Sequence, residues 1–272
     1  MWRRSCVHAG GACRSTVRWG SVRMLRTFRR RRVRFHGCRS PMGMAFLMTT
    51  SPRIPELCSG DVLTRDEFER RYEAMPQVKK AELIEGVVAM GSPVRLQHHG
   101  RPEHLLAGWL AFYESATPGL VAASNTTVRL DLDNEFQPDL LLCVPAHAGG
   151  QARIDADDYV AGAPELVIEV AASSVSRDLH QKLAVYRRNG VREYVVHRVD
   201  DAAVDWFVLV HGAYERQVAD AHGRYHSRVF PGLCLDVPAL LRRDLAAVRA
   251  AVEDGLAAVA AEHRVFVQRL RG

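Results

Sequence analysis

The 272-residue sequence contains no apolar run that approaches the roughly 18 residues a transmembrane helix needs. The apolar stretch GMAFLM is too short even for the core of a secretory signal peptide. The six cysteines form no CxxC pair and three of them lie near the N-terminus, which argues against a disulfide framework or a zinc knuckle. We therefore expect a cytoplasmic protein in a reducing compartment, with no membrane partner.

Acidic residues are absent from residues 1–55, which also contain no lysine but hold 13 arginines. The whole chain has 37 basic and 31 acidic residues, a formal net charge of +6. Because 13 of the basic residues lie in this segment, residues 56–272 carry a net charge of about −7. The overall positive charge is therefore no evidence that the folded part binds nucleic acid.

The arginine-rich tail, residues 1–47, has three interpretations. It could be a basic arm that binds nucleic acid, or a targeting peptide rich in arginine and poor in acids. It could also be an over-extended start, with true initiation at Met48 or at the nearby Met42 or Met44. We favour the over-extended start or a disordered tail, because no periodic apolar pattern precedes Met48.

The rest of the chain alternates helical and strand patterns, which predicts one α/β domain with a mixed central sheet. Thr64 followed by Glu67 has the spacing of a capping box, so a helix should begin there. AELIEGVVAM predicts a hairpin around Glu85 and Gly86. Further predicted elements are helices over 101–116 and 176–189, strands over 120–132 and 139–144, the strand ELVIEVA, a loop over 145–163, strands in REYVVHRV, AVDWFVLV and GAYERQV, and a long, exposed C-terminal helix.

Two carboxylates lie within short, aliphatic strand patterns. Asp139 follows Pro138 at the start of one strand, and Glu169 lies on another, on the same face as Val167 and Ala171. Burying an unpaired carboxylate is costly, and a divalent cation between the two would neutralise both. Mg²⁺ suits such a site because it takes oxygen ligands and keeps several waters. The alternative is that both are solvated acids at strand ends.

The helix after the second strand supplies a cation. Lys182 lies at the border of the apolar stripe formed by Leu179, Leu183 and Tyr186, from where it can reach along the sheet towards Glu169. The alternative is a surface ion pair with Asp178 one turn earlier, worth a few tenths of a kcal/mol.

Together these residues resemble the PD-(D/E)xK nuclease superfamily and, within it, the Uma2 family of restriction endonucleases, also catalogued as a domain of unknown function. The matching pieces are AELIEGVVAMGSPV, HHG, VRLDLDNEFQPDLLLC, PELVIEVAASS, RDLHQKLAVYRRNGVREYVV and FPGLCLD. The superfamily places its lysine two positions after the glutamate, where this chain has Ala171. The resemblance implies that in this family the lysine is displaced to the next helix, where Lys182 matches it.

The resemblance implies a restriction-endonuclease-like fold, a mixed β-sheet core flanked by helices. It implies a Mg²⁺-dependent endonuclease that hydrolyses phosphodiester bonds in DNA, with Mn²⁺ as a substitute ion. The implied metal ligands are Asp139, Glu169, the backbone carbonyl of Val170 and, directly or through water, Glu82. Lys182 would orient or help to deprotonate the attacking water and stabilise the developing charge.

Weaker candidates and rival functions stay open. Asp178 could orient Lys182, and the less specific candidates for substrate contact are His98, His99, Gln137, His180 and Gln181. Basic clusters at 187–192 and 79–80 could bind DNA, and a homodimer would double them. The rivals are a catalytically inactive binding or regulatory protein and a nuclease that acts on RNA. We expect a tail over 1–47, the nuclease domain over 48–240 and a helical extension over 241–272.

Overall fold

The computed structural model describes residues 53–272, so the predicted tail over 1–47 lies outside the described residues. The described part contains fourteen strands. In chain order they are β1 (Ala81–Ile84), β2 (Val87–Met90), β3 (Val121–Ser124), β4 (Val128–Asp131), β5 (Asn134–Phe136), β6 (Leu140–Cys143), β7 (Arg153–Ile154), β8 (Val160–Ala161), β9 (Leu166–Ala171), β10 (Glu193–Arg198), β11 (Ala203–Val210), β12 (Ala213–Arg216), β13 (Arg224–His226) and β14 (Cys234–Asp236).

Seven α-helical segments accompany the strands in the described residues. They are α1 (Arg65–Glu73), α2 (Arg101–Ala116), α3 (Val175–Arg177), α4 (Leu183–Asn189), α5 (Val237–Leu241), α6 (Leu245–Ala258) and α7 (Ala260–Arg271). A π-helical turn, Leu96–Gly100, leads into α2, and a second one, Asp178–Lys182, joins α3 to α4. In the described part of the chain, no helix is long and apolar enough to cross a membrane.

The strands form two six-stranded mixed sheets and a two-stranded hairpin. The first sheet has the order β2-β1-β5-β4-β8-β7, and the second has the order β12-β11-β10-β9-β6-β3. Each sheet contains one parallel pair, β4 with β8 and β9 with β10, among antiparallel neighbours. The predicted mixed α/β architecture with flanking helices is therefore confirmed, although the strands form two sheets instead of one.

Strand β9 runs through the middle of the second sheet and is buried on both faces. One face, with Ile168, packs into a core shared with α2, α6 and Trp206. The other face, with Val167, packs into a core that contains Phe136 of the first sheet and Tyr186 of α4. The predicted alternation of faces along this strand is correct, and it directs Glu169 towards the first sheet and α4.

Several local predictions are confirmed. Helix α2 spans the predicted residues 101–116, and the side chain of Thr64 accepts a hydrogen bond from the backbone N–H of Glu67 at the start of α1. The hairpin of β1 and β2 turns through Glu85 and Gly86, which both have positive φ (52° and 75°). Such a turn needs residues that tolerate left-handed backbone, and glycine is the best of them.

Two predicted segments are wrong in detail. The strand expected over 120–132 is two strands in different sheets, β3 and β4, because Asn125 between them takes a left-handed conformation (φ 51°) that ends an extended strand. The loop expected over 145–163 contains the short antiparallel pair of β7 and β8.

The expected long, exposed C-terminal helix is also wrong. It is two helices, α6 and α7, separated at Val259, whose backbone is not helical (φ −123°, ψ 34°). Val252 and Phe266 are buried in the same core as β9. At Gly255 a Cβ would lie 2.4 Å from the carbonyl oxygen of Gly232, so α6 approaches this loop more closely than a side chain allows. The boundary drawn at residue 240 stays a prediction.

Candidate active site

A cleft of about 470 Å³ opens where β1, β6, β9 and the π-helical turn Asp178–Lys182 converge. Nine charged side chains line it. Asp200, Arg95 and Arg177 are exposed or half-buried, and the other six are four carboxylates and two ammonium groups, of which all but one are almost fully buried. These six are Glu82, Asp139, Glu169, Asp178, Lys80 and Lys182.

Asp139 and Glu169 lie side by side across neighbouring strands. The antiparallel register pairs Leu140 with Ile168, which places residue 139 opposite residue 169 on the same face of the sheet. The Oδ2 atom of Asp139 accepts a hydrogen bond from the backbone N–H of Val170 at 2.7 Å. This bond fixes the carboxylate and leaves its Oδ1 atom directed at the cleft, against Lys80.

Lys182 is a buried residue, with 3% of its side chain exposed. Its Nζ atom donates to Oε1 of Glu82 and to Oε1 of Glu169, both at 2.8 Å. The alternative of a surface ion pair with Asp178 is therefore wrong. Asp178 instead accepts a hydrogen bond from the hydroxyl of Ser174 at 2.6 Å.

The π-helical turn explains why this lysine points inward. A π turn inserts an extra residue into a helix, which rotates the side chains that follow relative to those before. Asp178, Lys182 and Tyr186 are buried, whereas Leu179 and Leu183 of the predicted apolar stripe are only half-buried. The helix therefore presents charged and polar groups to the cleft at positions where a regular stripe would present leucines.

Glu82 belongs to the same buried network but lies on the first sheet. It is the second residue of β1, and its Oε1 atom accepts hydrogen bonds from Lys182 and from the backbone N–H of Gln137 at 3.0 Å. Lys182 thus joins the two sheets by binding one carboxylate from each. Lys182 also lies 5.3 Å from the centre of the Phe136 ring, a contact that favours a cation.

The network has strongly perturbed proton affinities. Burial raises the pKa of Glu169 to about 8, and repulsion from Asp139 adds to this against the attraction of Lys182. Burial also opposes ionisation of Glu82, but the ammonium groups of Lys182 and Lys80 outweigh it and lower the pKa of Glu82. Burial disfavours the charged form of Lys182 as well, yet the neighbouring carboxylates raise its pKa, so its ammonium stays protonated at neutral pH.

The donor set at Asp139 and Glu169 suits a divalent cation, and the predicted role of Glu82 as a further ligand stays a prediction. Among the described residues, no group of three or more His, Cys, Asp or Glu side chains converges as metal ligands. Mg²⁺ needs only one or two carboxylates, with waters and substrate oxygens completing its shell. With all groups ionised, five carboxylates against two ammonium and two guanidinium groups leave an excess of one negative charge in the cleft, which a divalent cation next to Asp139 and Glu169 would offset.

The Uma2 family model, described as "Putative restriction endonuclease", matches residues 65–238. The chain belongs to the Uma2 family. The resemblance drawn from the sequence motifs is therefore confirmed. A solved structure from Anabaena variabilis, described as a "putative nuclease belonging to DUF820", is 16% identical to it with a TM-score of 0.51. This match covers 66% of this chain and 98% of that chain, and it shows a likeness of fold. No curated protein sequence matches this chain.

This Uma2 chain departs from the superfamily pattern at Ala171, and in the structure another lysine lies next to Glu169. Ala171 is fully buried in the core between the sheets and does not line the cleft. The ammonium of Lys182 reaches Glu169 from the helix instead. A lysine at position 171 would have to enter a closed apolar core. Lys182 instead reaches Glu169 from the side of the helical segment that faces the cleft.

The remaining sequence candidates divide into those at the cleft and those away from it. His98 and His99 line it, and Nε2 of His99 lies 3.4 Å from Oδ1 of Asp139. The side-chain amide of Gln137 donates to the hydroxyls of Tyr72 and Thr127 instead. His180 and Gln181 are exposed and lie outside the cleft.

The predicted basic cluster at 187–192 does not line the cleft. Arg188 pairs with Glu85, and Arg187 donates to the carbonyl oxygen of Gly212. Of the second basic cluster, Lys80 lines the cleft. Arg95 and Arg177, which no sequence pattern marked, lie on its wall as well.

Sequence reasoning also missed a role for Tyr186. The apolar spacing assigns Tyr186 to the core stripe, and its ring is indeed fully buried against Phe136 and Tyr194. Its hydroxyl, however, donates to Oε1 of Glu169 at 2.9 Å. The available signal was the residue type, because a buried tyrosine needs a hydrogen-bond partner for its hydroxyl.

Proposed function

We propose that this Uma2 chain is a metal-dependent endonuclease of the PD-(D/E)xK type that hydrolyses phosphodiester bonds in DNA. The observation that carries the proposal is the cleft in which Asp139 faces Glu169 while the ammonium of Lys182 contacts Glu169 at 2.8 Å. Paired carboxylates can hold a divalent cation that assists phosphodiester hydrolysis, and an adjacent protonated lysine can stabilise the charge that develops on the phosphate. Family membership supports the nuclease class in general.

Asp139, Glu169 and the carbonyl of Val170 would hold Mg²⁺ or Mn²⁺, which would supply polarisation of the phosphate and a bound water of lowered pKa. Lys182 stabilises the negative charge that develops on the phosphate and orients the attacking water. Its contacts with Glu82 and Glu169 raise its pKa, which favours this electrostatic role over proton abstraction by its amine. Glu82 acts as a positioning residue, because it holds the ammonium of Lys182 from the opposite sheet.

The cations on the cleft wall support a nucleic-acid substrate despite the negative charge of residues 56–272. Arg95 and Arg177 lie beside Lys80 there. The Nε atom of Arg177 is buried and has no hydrogen-bond partner among the described residues, so its guanidinium has capacity for a further acceptor. Phosphate groups are the acceptors for which arginine is best suited.

The test is cleavage of supercoiled plasmid DNA, linear duplex DNA and RNA by the purified full chain, with Mg²⁺, Mn²⁺ or EDTA. We expect nicking or linearisation of DNA with either metal ion and none with EDTA. The Asp139→Asn variant is the matched control for a contaminating nuclease and should be inactive. Cleavage of RNA alone would identify an RNA nuclease, and DNA binding without cleavage under all conditions would identify a non-catalytic binding protein.

A further inference from the structure

Two lysines form ion pairs with carboxylates of the cleft, and they differ in their number of partners and in their exposure. Lys182 binds two carboxylates and only 3% of its side chain is exposed. Lys80 makes one ion pair, to Oδ1 of Asp139 at 3.1 Å, and 29% of its side chain is exposed. Lys182 is therefore fixed in the network, whereas the ammonium of Lys80 can leave its partner towards the cleft.

The partner atom of Lys80 is the one that a metal ion would need. The Oδ2 atom of Asp139 already accepts the backbone N–H of Val170, so its Oδ1 atom, which lies 3.4 Å from Nε2 of His99, is the oxygen of this carboxylate that faces the cleft. The ammonium of Lys80 binds that same Oδ1 atom. A divalent cation at Asp139 and Glu169 thus competes with Lys80 for one oxygen atom.

The backbone of Lys80 is held by a hydrogen bond, whereas its side chain is partly exposed and makes a single ion pair. Its carbonyl oxygen accepts a hydrogen bond from the backbone N–H of Gly91 at 2.9 Å, at the open end of the hairpin of β1 and β2. A Cβ at Gly91 would lie 3.1 Å from Cβ of Lys80, so the two backbones are in close contact. A long, flexible stem on a fixed backbone lets the ammonium move over several ångströms without any change of fold.

From these contacts we propose that Lys80 is a displaceable counter-ion. Its ammonium holds Asp139 in the metal-free protein, leaves when a divalent cation binds, and then contacts a non-bridging phosphate oxygen of the substrate. This inference rests on the proposed function, because it assumes a phosphate-bearing substrate in the same cleft. Burial lowers the pKa of Lys80, but the carboxylates of Glu169, Asp139 and Glu82 raise it overall, so its ammonium is charged where it pairs with Asp139.

The charges of the cleft favour this exchange. With all groups ionised, the five carboxylates that line the cleft exceed its two ammonium and two guanidinium groups by one charge, so a bound divalent cation leaves a net charge of about +1 to meet an added phosphate. By thermodynamic linkage, a substrate that holds Lys80 away from Asp139 also tightens metal binding. Metal and substrate would therefore bind cooperatively, which keeps the metal site less occupied while the cleft is empty of substrate.

The test is calorimetric titration of Mg²⁺ into the full chain and into its Lys80→Met and Lys79→Met variants. Lys79 is the matched control, because it is the neighbouring lysine, is exposed and does not line the cleft. We expect Lys80→Met to bind Mg²⁺ on the order of tenfold more tightly than the unmodified chain, since the competing ammonium is gone. Lys79→Met should bind it as the unmodified chain does.

Cleavage at saturating Mg²⁺ provides the second readout. We expect Lys80→Met to cleave on the order of tenfold more slowly than Lys79→Met, because one phosphate contact is lost. A purely structural lysine would lower both metal affinity and cleavage, so opposite directions are the signature of a displaceable counter-ion.

The outcomes separate this inference from the proposed function. Unchanged or weaker Mg²⁺ binding by Lys80→Met overturns the competition, even if the unmodified chain cleaves DNA. Tighter binding with unchanged cleavage overturns the phosphate contact. Tighter binding in a chain that cleaves no nucleic acid supports the counter-ion at Asp139 and overturns the proposed nuclease. Failure of all three chains to bind Mg²⁺ overturns both.

Discussion

Replacing Lys182 by methionine tests the buried network most directly. Methionine fills most of the space of the lysine stem but removes the ammonium that Glu82 and Glu169 share at 2.8 Å each. Breaking a buried ion pair by removing one partner costs about 3–5 kcal/mol, because the remaining charge is left uncompensated. We expect the free energy of unfolding at neutral pH to fall by this amount. The loss would be a large part of the total free energy of unfolding of a typical domain, which is roughly 5–15 kcal/mol.

The matched control is Arg188→Met, which removes a cation from the end of the same helical segment. Arg188 pairs with Glu85 at 2.9 Å, but the two side chains are 45% and 48% exposed. An exposed pair of this kind contributes about 0–1 kcal/mol. Urea unfolding of both variants at pH 7 is the assay, and a Lys182→Met loss within about 1 kcal/mol of the Arg188→Met loss would refute the buried network.

A double variant keeps the test decisive if Lys182→Met does not fold. Adding Glu82→Gln removes one of the two stranded carboxylates and should recover part of the lost stability. It should not recover cleavage, which we expect to fall on the order of 10²-fold or more in both variants, because the group that stabilises the developing charge is absent. Full cleavage by either variant would remove Lys182 from the proposed active site.

Three further predictions concern the metal, the pH dependence and the tail. Asp139→Asn should abolish the rise in melting temperature that Mg²⁺ produces, and a persistent rise would contradict the shared metal site. Burial and contact with Glu69 raise the pKa of Glu135 from 4.5 to about 8, so between these pH values the side chain is protonated in the folded chain and ionised in the unfolded chain. Rising pH should therefore lower the free energy of unfolding by up to about 1.4 kcal/mol per pH unit. Glu135→Gln should make that decline shallower, with the raised pKa of Glu169 maintaining the rest, and equal slopes of stability against pH in both chains would contradict the role of Glu135. A chain that starts at Met48 should keep its melting temperature and any cleavage, because the tail lacks apolar periodicity, and a large drop in melting temperature would contradict this.

The sequence predicts the regular parts of this fold well because their signals are local. The apolar spacing over 101–116 predicts α2 to the residue, and Glu85 with Gly86 predicts the hairpin turn. The failures arise where a short polar residue overrides strand propensity, as at Asn125, or where alanine conceals which helix face is buried, as around Ala251. Alanine fits a core as readily as a surface, so an alanine-rich helix carries little information about its packing.

The site was only partly predictable for a different reason. The pairing of Asp139 with Glu169 follows from two strands that pack next to each other, and the alternation of faces along β9 was readable from the sequence. The contact of Lys182 with Glu82 spans 100 positions and two sheets, so no local pattern encodes it. The contact of Lys80 with Asp139 could not be predicted for a similar reason, since nothing in the sequence distinguishes Lys80 from Lys79.

The charges of the molecule fit a site that is closed to phosphates until a metal ion binds. Residues 56–272 are net negative, and the cleft itself is lined by five carboxylates against two ammonium and two guanidinium groups. A phosphodiester that approaches this cleft without a divalent cation meets an excess of like charge, which costs binding free energy. With the cation bound, the same carboxylates are neutralised and the cations Lys80, Arg95 and Arg177 face the substrate. The net negative charge of residues 56–272 argues against strong non-specific binding of DNA. For the same reason we expect the metal ion to be needed for substrate binding as well as for cleavage.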